Sequence, residues 1–305
     1  MNETIMENII KAEIDRLRCC NRSCSVLSKY SRNLNLLALQ NKIDKVYGRD
    51  TQIQQIMRIM LRKTKSNVVL TGLAGCGKTA IAEGLAYEIA TSRVEHVAKH
   101  YDDTTPAPDL LFGNYIIYDL SMNSLLSGSK YRGDFEEKMQ NILNEISEHP
   151  NIIVFIDEIH QINEIGNSEG ATSMGQILKP ALARGDIRII GATTTEEYKY
   201  IKKDKALARR FCEIIIPELT GETALKCFEN IVLDYGEYHK VKTEKIDCKT
   251  IMKTIAHTMP KSVFPNNVID IIDETFASAR FDGKEIVTME DINKTISRIT
   301  GYLVI

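Results

Sequence analysis

The stretch that most constrains the fold is GLAGCGKT, residues 72 to 79. It follows a short apolar run, NVVLTG, and precedes TAIAEGLAYEIA, which has the periodicity of a helix. The spacing G-x-x-x-x-G-K-[ST] between a strand and a helix is the signature of a phosphate-binding loop; the alternative is an ordinary glycine-rich turn. Consecutive backbone N–H groups of such a loop turn inward as an anion-binding nest at a helix N-terminus. The predicted binding residues are Gly72, Gly75, Cys76, Gly77, Lys78, Thr79 and Ala80.

The remaining pattern predicts an α/β domain followed by a helical one. Four further compact apolar runs are bounded by polar turns: NYIIYDL, NIIVFIDE, DIRIIGATT and FCEIIIPE. Five buried strands alternating with helices indicate a five-stranded parallel sheet covered by helices on both faces. From about Thr220 onward only helical periodicity remains. We therefore expect an amphipathic N-terminal leader helix over residues 1–25, a large α/β domain over 26–219 and a small all-helical domain over 220–305.

Composition narrows the functional classes. The 305 residues carry a formal net charge of −2, and no apolar run approaches the ~18–20 residues of a membrane span. Neither nucleic acid nor a membrane is therefore an expected partner. Seven cysteines, an odd number, favour free thiols in a reducing compartment, which is the cytoplasm or an organelle stroma. Structural zinc at CCNRSC (residues 19–24) is the alternative, but a second ligand pair at zinc spacing is lacking.

Carboxylates and a hydroxyl follow two of the predicted strands. Asp157 and Glu158 end the run IIVFIDE, where ligands of open α/β sheets bind. Asp157 suits a magnesium-holding role beside Thr79, and Glu158 suits the base that orients an attacking water. Thr194 follows the next strand. Its hydroxyl either hydrogen-bonds the γ-phosphate or the attacking water, or only hydrogen-bonds the backbone of a turn at the strand end.

Two adjacent arginines, Arg209 and Arg210, precede the last predicted strand in the segment LARRF. Such a pair beside an apolar residue is usually a solvated surface feature. The functional alternative is an arginine finger that acts on the nucleotide of a neighbouring subunit. The residues alone leave both interpretations open.

Over residues 26 to about 302 the chain resembles the first AAA+ module of the Clp family of ATP-dependent unfoldases, of the ClpA, ClpB and ClpC type. The resemblance rests on seven stretches in the same order: YSRNLNLLALQNKIDKVYGRD, GLAGCGKTAIAEGLA, GSKYRGDFEEKM, VFIDEIH, LKPALARGDIRIIGATT, KDKALARRF and NNVIDIIDE. It implies an ATPase fold with a small lid, ATP and Mg²⁺ as cofactors, and a ring, expected to be a homohexamer.

The resemblance also implies roles for individual residues. Arg209 and Arg210 become fingers acting in trans, and Thr194 becomes the sensor threonine. The residues that it places at the base are Val46, Tyr47, Ile231 and Pro265. It places Lys130, Tyr131 and Arg132 on a loop that lines the channel. The tyrosine ring of this loop is expected to grip a threaded polypeptide. Tyr47 stands where the family usually has a smaller aliphatic residue.

The resemblance implies a ring that hydrolyses ATP and threads unfolded or tagged proteins, serving in one version as the ATP-binding subunit of a Clp protease. The family continues beyond ISRITGYLVI into a second module, which motivates an alternative. In that alternative the chain is a nucleotide-controlled assembly partner of a separately encoded second module. A DNA-processing role is disfavoured by the near-neutral charge. Cys76 is either a plain small residue or an oxidation-sensitive thiol at a helix N-terminus.

Overall fold

The five apolar runs form five parallel strands of one sheet in the computed structural model of the protein. The structure describes residues 3–100, 110–127, 132–163, 174–244 and 246–303. The strands of the sheet are β1 Ser31–Asn33, β2 Asn67–Thr71, β3 Ile116–Leu120, β4 Ile152–Ile156, β5 Arg188–Thr193 and β6 Phe211–Ile215. Their order across the sheet is β1-β3-β4-β5-β2-β6, and β2 to β6 run parallel. The predicted fold class is confirmed.

The edge strand β1 adds to the sequence-based expectation, in which the first of five strands is NVVLTG. Ser31 to Asn33 pair with β3 in antiparallel register, so that Arg32 stands opposite Asp119. A strand of three residues is too short to produce a recognisable alternation of polar and apolar side chains. The sheet therefore has six strands among the described residues, and the sixth lies at its edge.

Helices cover the sheet and follow the predicted alternation. In the first part of the chain they are α1 Glu3–Ser23, α2 Ser25–Tyr30, α3 Leu34–Leu39, α4 Asp50–Met60, α5 Lys78–Lys99, α6 Met122–Leu126, α7 Arg132–Glu148, α8 Met174–Arg184, α9 Tyr198–Lys203 and α10 Lys205–Ala208. A 3₁₀ turn, Ile159–Asn163, follows β4. Strand residues such as Phe155 and Ile190 are fully buried, as strands covered on both faces require.

The N-terminal helix α1 packs against α5. Ile9 and Val94 form a small apolar cluster there. The Glu13 carboxylate, 8% exposed, accepts bonds from Arg16 at 2.5 Å and from Arg93 at 3.0 Å. A buried carboxylate held by two guanidinium groups fixes α1 on α5, because removing either partner leaves charge poorly compensated.

The C-terminal part is helical apart from two short strands that the sequence pattern does not predict. Its elements are α11 Gly221–His239, β7 Lys242–Thr243, α12 Cys248–Thr258, α13 Asn266–Phe281, β8 Ile286–Val287 and α14 Met289–Thr300. Strands of two residues carry no periodicity, which explains why they are missed. Phe228 and Phe276 lie fully buried in its core. Thr288 and Asp291 form a reciprocal capping box at the start of α14.

The chain divides into two compact units. The α/β unit comprises Met1–Val46, Thr51–Thr71 and Lys78–Ile215; the helical unit comprises Tyr47–Asp50, Gly72–Gly77 and Ile216–Ile305. Two short segments from the first part of the sequence thus group with the helical unit. The linear limits 1–25, 26–219 and 220–305 remain a prediction. No helix in the described ranges combines the length and apolar character that a membrane crossing needs.

Candidate functional site

The carboxyl ends of β4, β5 and β2 lie side by side, because these three strands are neighbours in the sheet. Ile156 on β4 stands opposite Gly191 on β5, and Thr193 on β5 stands opposite Thr71 on β2. The residues that follow these ends are Asp157, Thr194 and Gly72. The sheet therefore brings three separated sequence motifs to one edge, where open α/β sheets bind ligands.

The phosphate loop depends on its glycines. Gly75 and Gly77 have φ angles of +78° and +89°, which side-chain-bearing residues rarely adopt. A Cβ on Gly72 would lie 2.5 Å from the carbonyl oxygen of Ile216, so a larger residue would force the backbone apart. Positive φ angles of this kind are a feature of the backbone turns that form anion-binding nests.

Helix α5 begins at Lys78, directly after the loop, and contains Thr79 and the half-buried Ala80 in its first turn. The Thr79 hydroxyl donates a 2.7 Å hydrogen bond to the Asp157 carboxylate. A hydroxyl and a carboxylate are hard oxygen donors, the type that Mg²⁺ prefers. The two predicted metal-binding residues are therefore in contact, and their chemistry fits a magnesium ion shared with phosphate oxygens.

Glu158 has an unusual backbone conformation. Its φ is +50°, although it has a side chain, and its N–H donates to the Asp157 carboxylate at 2.9 Å. Its own carboxylate is exposed and accepts a 2.5 Å bond from the Gln161 amide. Backbone strain of this kind clusters at functional sites, where it aims a side chain. Glu158 lines a cavity of about 680 Å³ that also contains Asp157 and Arg32.

Three charged residues beside this cavity escape the sequence-based prediction. Arg32 on β1 pairs with Asp119 on β3 at 2.6 Å. Burial raises the pKa of Glu83, one turn after Thr79 on α5; Arg32 opposes this rise, whereas Asp119 and Asp157 add to it. The sequence pattern does not reveal that β1 pairs with β3, so it does not predict that Arg32 and Asp119 meet. The one sequence feature that points to Arg32 is the family resemblance of the stretch that contains it.

Thr194 does not stand alone at the end of β5. Its hydroxyl donates a 2.7 Å hydrogen bond to Glu197, and its N–H donates to the same carboxylate oxygen at 3.2 Å. Thr193 also donates to that oxygen, at 3.3 Å, and lies 3.0 Å from the Nδ1 of the buried His160. The bond from the Thr194 hydroxyl is the main reason why the pKa of Glu197 is lowered. Glu197 and His160 are missed by the sequence-based prediction.

Arg209 and Arg210 lie at the opposite edge of the sheet. They immediately precede β6, which runs parallel to β2 with Phe211 opposite Asn67 at the amino ends. The phosphate loop leaves the carboxyl end of β2, about 16 Å away along a five-residue strand. Both arginines are exposed, and neither side chain bonds to another described residue. Within one chain, the two arginines therefore lie at the other end of the strands from Thr79, Asp157 and Glu158.

The residues predicted to contact the base are found in separate surroundings. In the α/β unit, Val46 packs against Gly84 of α5, where a Cβ would lie 2.9 Å from the valine Cβ. In the helical unit, the Tyr47 hydroxyl donates to Asp234 at 3.2 Å, and Ile231 lies one turn earlier on the same face of α11. Pro265 precedes α13, whose first residue is Asn266. Tyr47 and Ile231 therefore lie in the same unit, and Tyr47 bonds to the face of α11 that carries Ile231.

Cys76 has a fully buried side chain, with its sulfur near Gly72. Its carbonyl accepts a 2.6 Å bond from the guanidinium of Arg49, which is itself 2% exposed. Burial lowers the pKa of Arg49 from its ordinary value. The burial of the Cys76 side chain limits access of an oxidant to its thiol.

The other cysteines are also free thiols. At CCNRSC, Cys19 is exposed and Cys24 is buried, and burial raises the pKa of Cys24 to about 11. Within the described ranges no group of three or more His, Cys, Asp or Glu residues has metal-holding geometry. The predicted pore residues Lys130 and Tyr131 lie outside the described residues; Arg132 begins α7, and its side chain is also outside them.

Family comparison agrees with this geometry. The profile of the ATPase family associated with various cellular activities (AAA) matches residues 68–219, and that of an AAA lid domain matches residues 220–302. The chain belongs to the AAA ATPase family as a Clp-type module. The chaperone protein ClpB of Aquifex aeolicus is 41% identical over 276 residues, which is 90% of this chain. The chloroplastic chaperone protein ClpC2 of Arabidopsis thaliana is 38% identical over 92% of this Clp-type module.

Solved structures give the same result. A closed-state cryo-EM reconstruction of Hsp104 with ATPγS and FITC casein matches with a TM-score of 0.75 and 33% identity, over 90% of this chain. An Hsp104–ADP complex of S. cerevisiae matches with a TM-score of 0.74 and 34% identity. The Clp-type module spans 45% and 46% of those two chains, and 26% and 28% of the ClpB and ClpC2 relatives. The resemblance predicted from the sequence is confirmed.

Proposed function

We propose that this Clp-type module binds and hydrolyses ATP with Mg²⁺ and uses the energy to thread polypeptides through the pore of a homomeric ring. The observation that carries the proposal is the 2.7 Å contact between Thr79 and Asp157. It joins the end of the phosphate loop to the acidic end of β4, two motifs that are 78 residues apart. A sheet that served only as a scaffold would have no need to align a phosphate loop, a hydroxyl and a carboxylate.

Binding would begin at the phosphate loop. Its N–H groups would cradle the phosphates, and Lys78 would reach the β- and γ-phosphates. Thr79 and Asp157 would hold Mg²⁺, which would supply charge neutralisation on the phosphate oxygens. In the helical unit, Tyr47, Ile231 and Pro265 would contact the base, together with Val46 of the α/β unit.

Hydrolysis would depend on Glu158, which would orient the attacking water and accept its proton. Its positive φ and the bond from Gln161 support this assignment, since both fix the direction of an otherwise exposed carboxylate. Thr194 would contact the γ-phosphate from the end of the neighbouring strand β5. Glu158 and Thr194 follow the neighbouring strands β4 and β5, whose ends lie at the same edge of the sheet.

A ring is supported by the arginines at the other edge. Arg209 and Arg210 are separated from their own phosphate loop by the length of β6, so a role in hydrolysis requires another copy of the chain. A head-to-tail interface of this kind closes into a ring when the rotation permits, and we propose six copies. Guanidinium groups inserted from a neighbour would stabilise charge on the transferring phosphoryl group.

The threading step is proposed from the resemblance at GSKYRGDFEE. Tyr131 would contact the moving polypeptide, with Lys130 and Arg132 keeping the loop in water. Casein is a suitable probe because it is the polypeptide in the matching Hsp104 complex. A peptidase or a separately encoded second module would be additional partners of the ring.

The test of this function separates threading from hydrolysis. Tyr131→Ala should hydrolyse ATP at the wild-type rate but lose ATP-dependent translocation of fluorescein-labelled casein, whereas Tyr131→Phe should retain both. Sedimentation with ATP should give a hexamer. Undiminished casein translocation by Tyr131→Ala would contradict the proposal that Tyr131 contacts the moving polypeptide. A persistent monomer would instead support the assembly-partner alternative.

A further inference from the structure

Glu197 accepts three hydrogen bonds beside the candidate site, yet no motif assigns it a role. One carboxylate oxygen, Oε2, accepts the Thr194 hydroxyl at 2.7 Å, the Thr194 N–H at 3.2 Å and the Thr193 hydroxyl at 3.3 Å. The Glu197 N–H in turn donates to the Thr194 hydroxyl oxygen at 3.2 Å. Both the proton and a lone pair of the Thr194 hydroxyl are thus committed to Glu197.

The cluster extends to the turn that follows Glu158. The Thr193 hydroxyl donates to Glu197 and lies 3.0 Å from Nδ1 of His160, which itself lies 3.4 Å from the same Glu197 oxygen. His160 is 9% exposed and lies two residues after Glu158 in the 3₁₀ turn. A continuous path of hydrogen bonds therefore runs from the turn beside Glu158, through Thr193, to the carboxylate that holds Thr194.

Close packing supports the same connection. A Cβ on Gly191 would lie 2.3 Å from Cδ1 of Ile159, so only glycine at this place in β5 lets the 3₁₀ turn approach the strand. The approach brings His160 within reach of Thr193. Close packing against Ile159 thus explains why the GATT stretch begins with glycine, which the sequence pattern does not reveal.

We propose that Glu197 is a positioning residue for ATP hydrolysis, which holds Thr194 and the Glu158 turn in register at the ends of β5 and β4. The inference rests on the proposed function, since Thr194 contacts the γ-phosphate only in that account. When the Thr194 hydroxyl turns to a phosphate oxygen, Glu197 keeps the bonds from the Thr194 N–H and the Thr193 hydroxyl. The end of β5 therefore stays in place while the proton of the Thr194 hydroxyl changes its acceptor from Glu197 to the phosphate oxygen.

The charge of Glu197 is suited to this task. Hydrogen bonds to an ionised acceptor are roughly twice as strong as neutral ones. The pKa of Glu197 is lowered, first by the hydrogen bond from the Thr194 hydroxyl, so the carboxylate is ionised at neutral pH. Glutamine at this position would keep an oxygen acceptor of the same size without the charge, which makes it an informative variant.

The experiment compares ATP affinity and turnover in Glu197→Ala, Glu197→Gln and the control Glu196→Gln. Glu196 is the exposed neighbour in the same turn, and no hydrogen bond or ion pair joins its side chain to the described residues. We expect Glu197→Ala to bind ATP within about twofold of wild type and to lose about tenfold or more in kcat, as misplaced catalytic groups do. Glu197→Gln should fall between the two, and Glu196→Gln should match wild type.

A double-mutant cycle with Thr194→Val separates positioning from a general structural role. Thr194→Val removes the hydroxyl bond to Glu197 but leaves the bonds from the N–H of residue 194 and from the Thr193 hydroxyl. Adding Glu197→Ala to Thr194→Val should therefore lower kcat by a smaller factor than Glu197→Ala does in the wild type, because residues of one network are not additive. Equal loss in both backgrounds, or wild-type kcat in Glu197→Ala, would overturn the inference.

Two further variants distinguish failure of the inference from failure of the proposed function. Lys78→Ala and Glu158→Gln should abolish turnover whatever the outcome at Glu197. If they do so while Glu197→Ala remains fully active, only the inference fails. If they too hydrolyse ATP at the wild-type rate, the proposed function is wrong.

Discussion

Arg49 donates a 2.6 Å hydrogen bond from Nη2 to the carbonyl oxygen of Cys76, inside the phosphate loop. A second bond, from Nη1 to the carbonyl of Pro217, measures 2.8 Å. The guanidinium is almost fully buried and thus ties the loop to the chain that enters the helical unit. The bond from Arg49 thus fixes the direction of the Cys76 carbonyl in the loop.

Replacing Arg49 by methionine should weaken ATP binding and also lower the free energy of unfolding. The change leaves two carbonyls without their charged donor, and each such hydrogen bond is worth about 1.5–3 kcal/mol. We expect ATP affinity to fall by about tenfold or more, measured by titration with a fluorescent nucleotide. Arg62→Met, at an exposed arginine of the α/β unit, is the control and should bind normally. Normal ATP affinity in Arg49→Met would show that the loop does not need this clamp.

Mixing two inactive variants tests whether the arginines act between copies. Glu158→Gln has intact arginines and a disabled site, whereas Arg209→Ala/Arg210→Ala has an intact site and no arginines. Each alone should hydrolyse ATP at least about 100-fold more slowly than wild type, given the rate effect of arginine fingers. Mixed rings should regain turnover, because a neighbour supplies the missing group. No recovery in rings shown to contain both variants would contradict action in trans.

Asp204 should make the segment that carries the arginines sensitive to acid. It caps α10 by accepting the N–H groups of Ala206 and Leu207, and it pairs with Lys179 at 2.6 Å. Burial alone would raise its pKa, but the Lys179 bond and the two helix N–H groups lower it below its ordinary value. Since the folded-state pKa is lowered, the stabilisation is present above the unfolded pKa near 4 and is lost as the pH falls below it.

The Asp204 variants separate the cap from the charge. Asp204→Ala should lower the free energy of unfolding by about 1 kcal/mol at neutral pH through loss of the cap. Asp204→Asn should keep most of the cap but show a smaller loss of stability between pH 5 and pH 3 than wild type. Denaturant unfolding across this range measures both effects, with the exposed Asp15→Asn as the control. An acid transition unchanged in Asp204→Asn would contradict the assignment.

The sequence predicts those parts of the fold and the site that depend on local pattern. Five strands have enough buried Ile and Val to be recognised, and the phosphate loop has a fixed spacing. Asp157 and Glu158 are predicted because they follow a strong strand. By contrast β1, β7 and β8 contain only two or three residues each, too few for any period to appear. Their pairing depends on partners far away in the sequence.

The missed site residues share one physical reason. Glu197, His160 and Arg32 act through side chains that meet only after β4, β5 and the edge strand are assembled. Glu197 lies three residues from Thr194, but nothing in TTTEE indicates that its carboxylate gathers three donors. Arg49 is similarly hidden, because its buried partners are backbone carbonyls rather than residues of a particular type. Spacing predicts the phosphate site, whereas the side chains that support it are recognised only from their contacts in the fold.

The most direct test of the central claim measures ATP binding and single-turnover hydrolysis in Glu158→Gln. If the Asp157–Thr79 pair holds the metal and Glu158 acts as the base, ATP should bind within about twofold of wild type. Hydrolysis should fall by about 10²–10⁴-fold, the contribution of a positioned general base. Hydrolysis by Glu158→Gln at the wild-type rate would contradict the account.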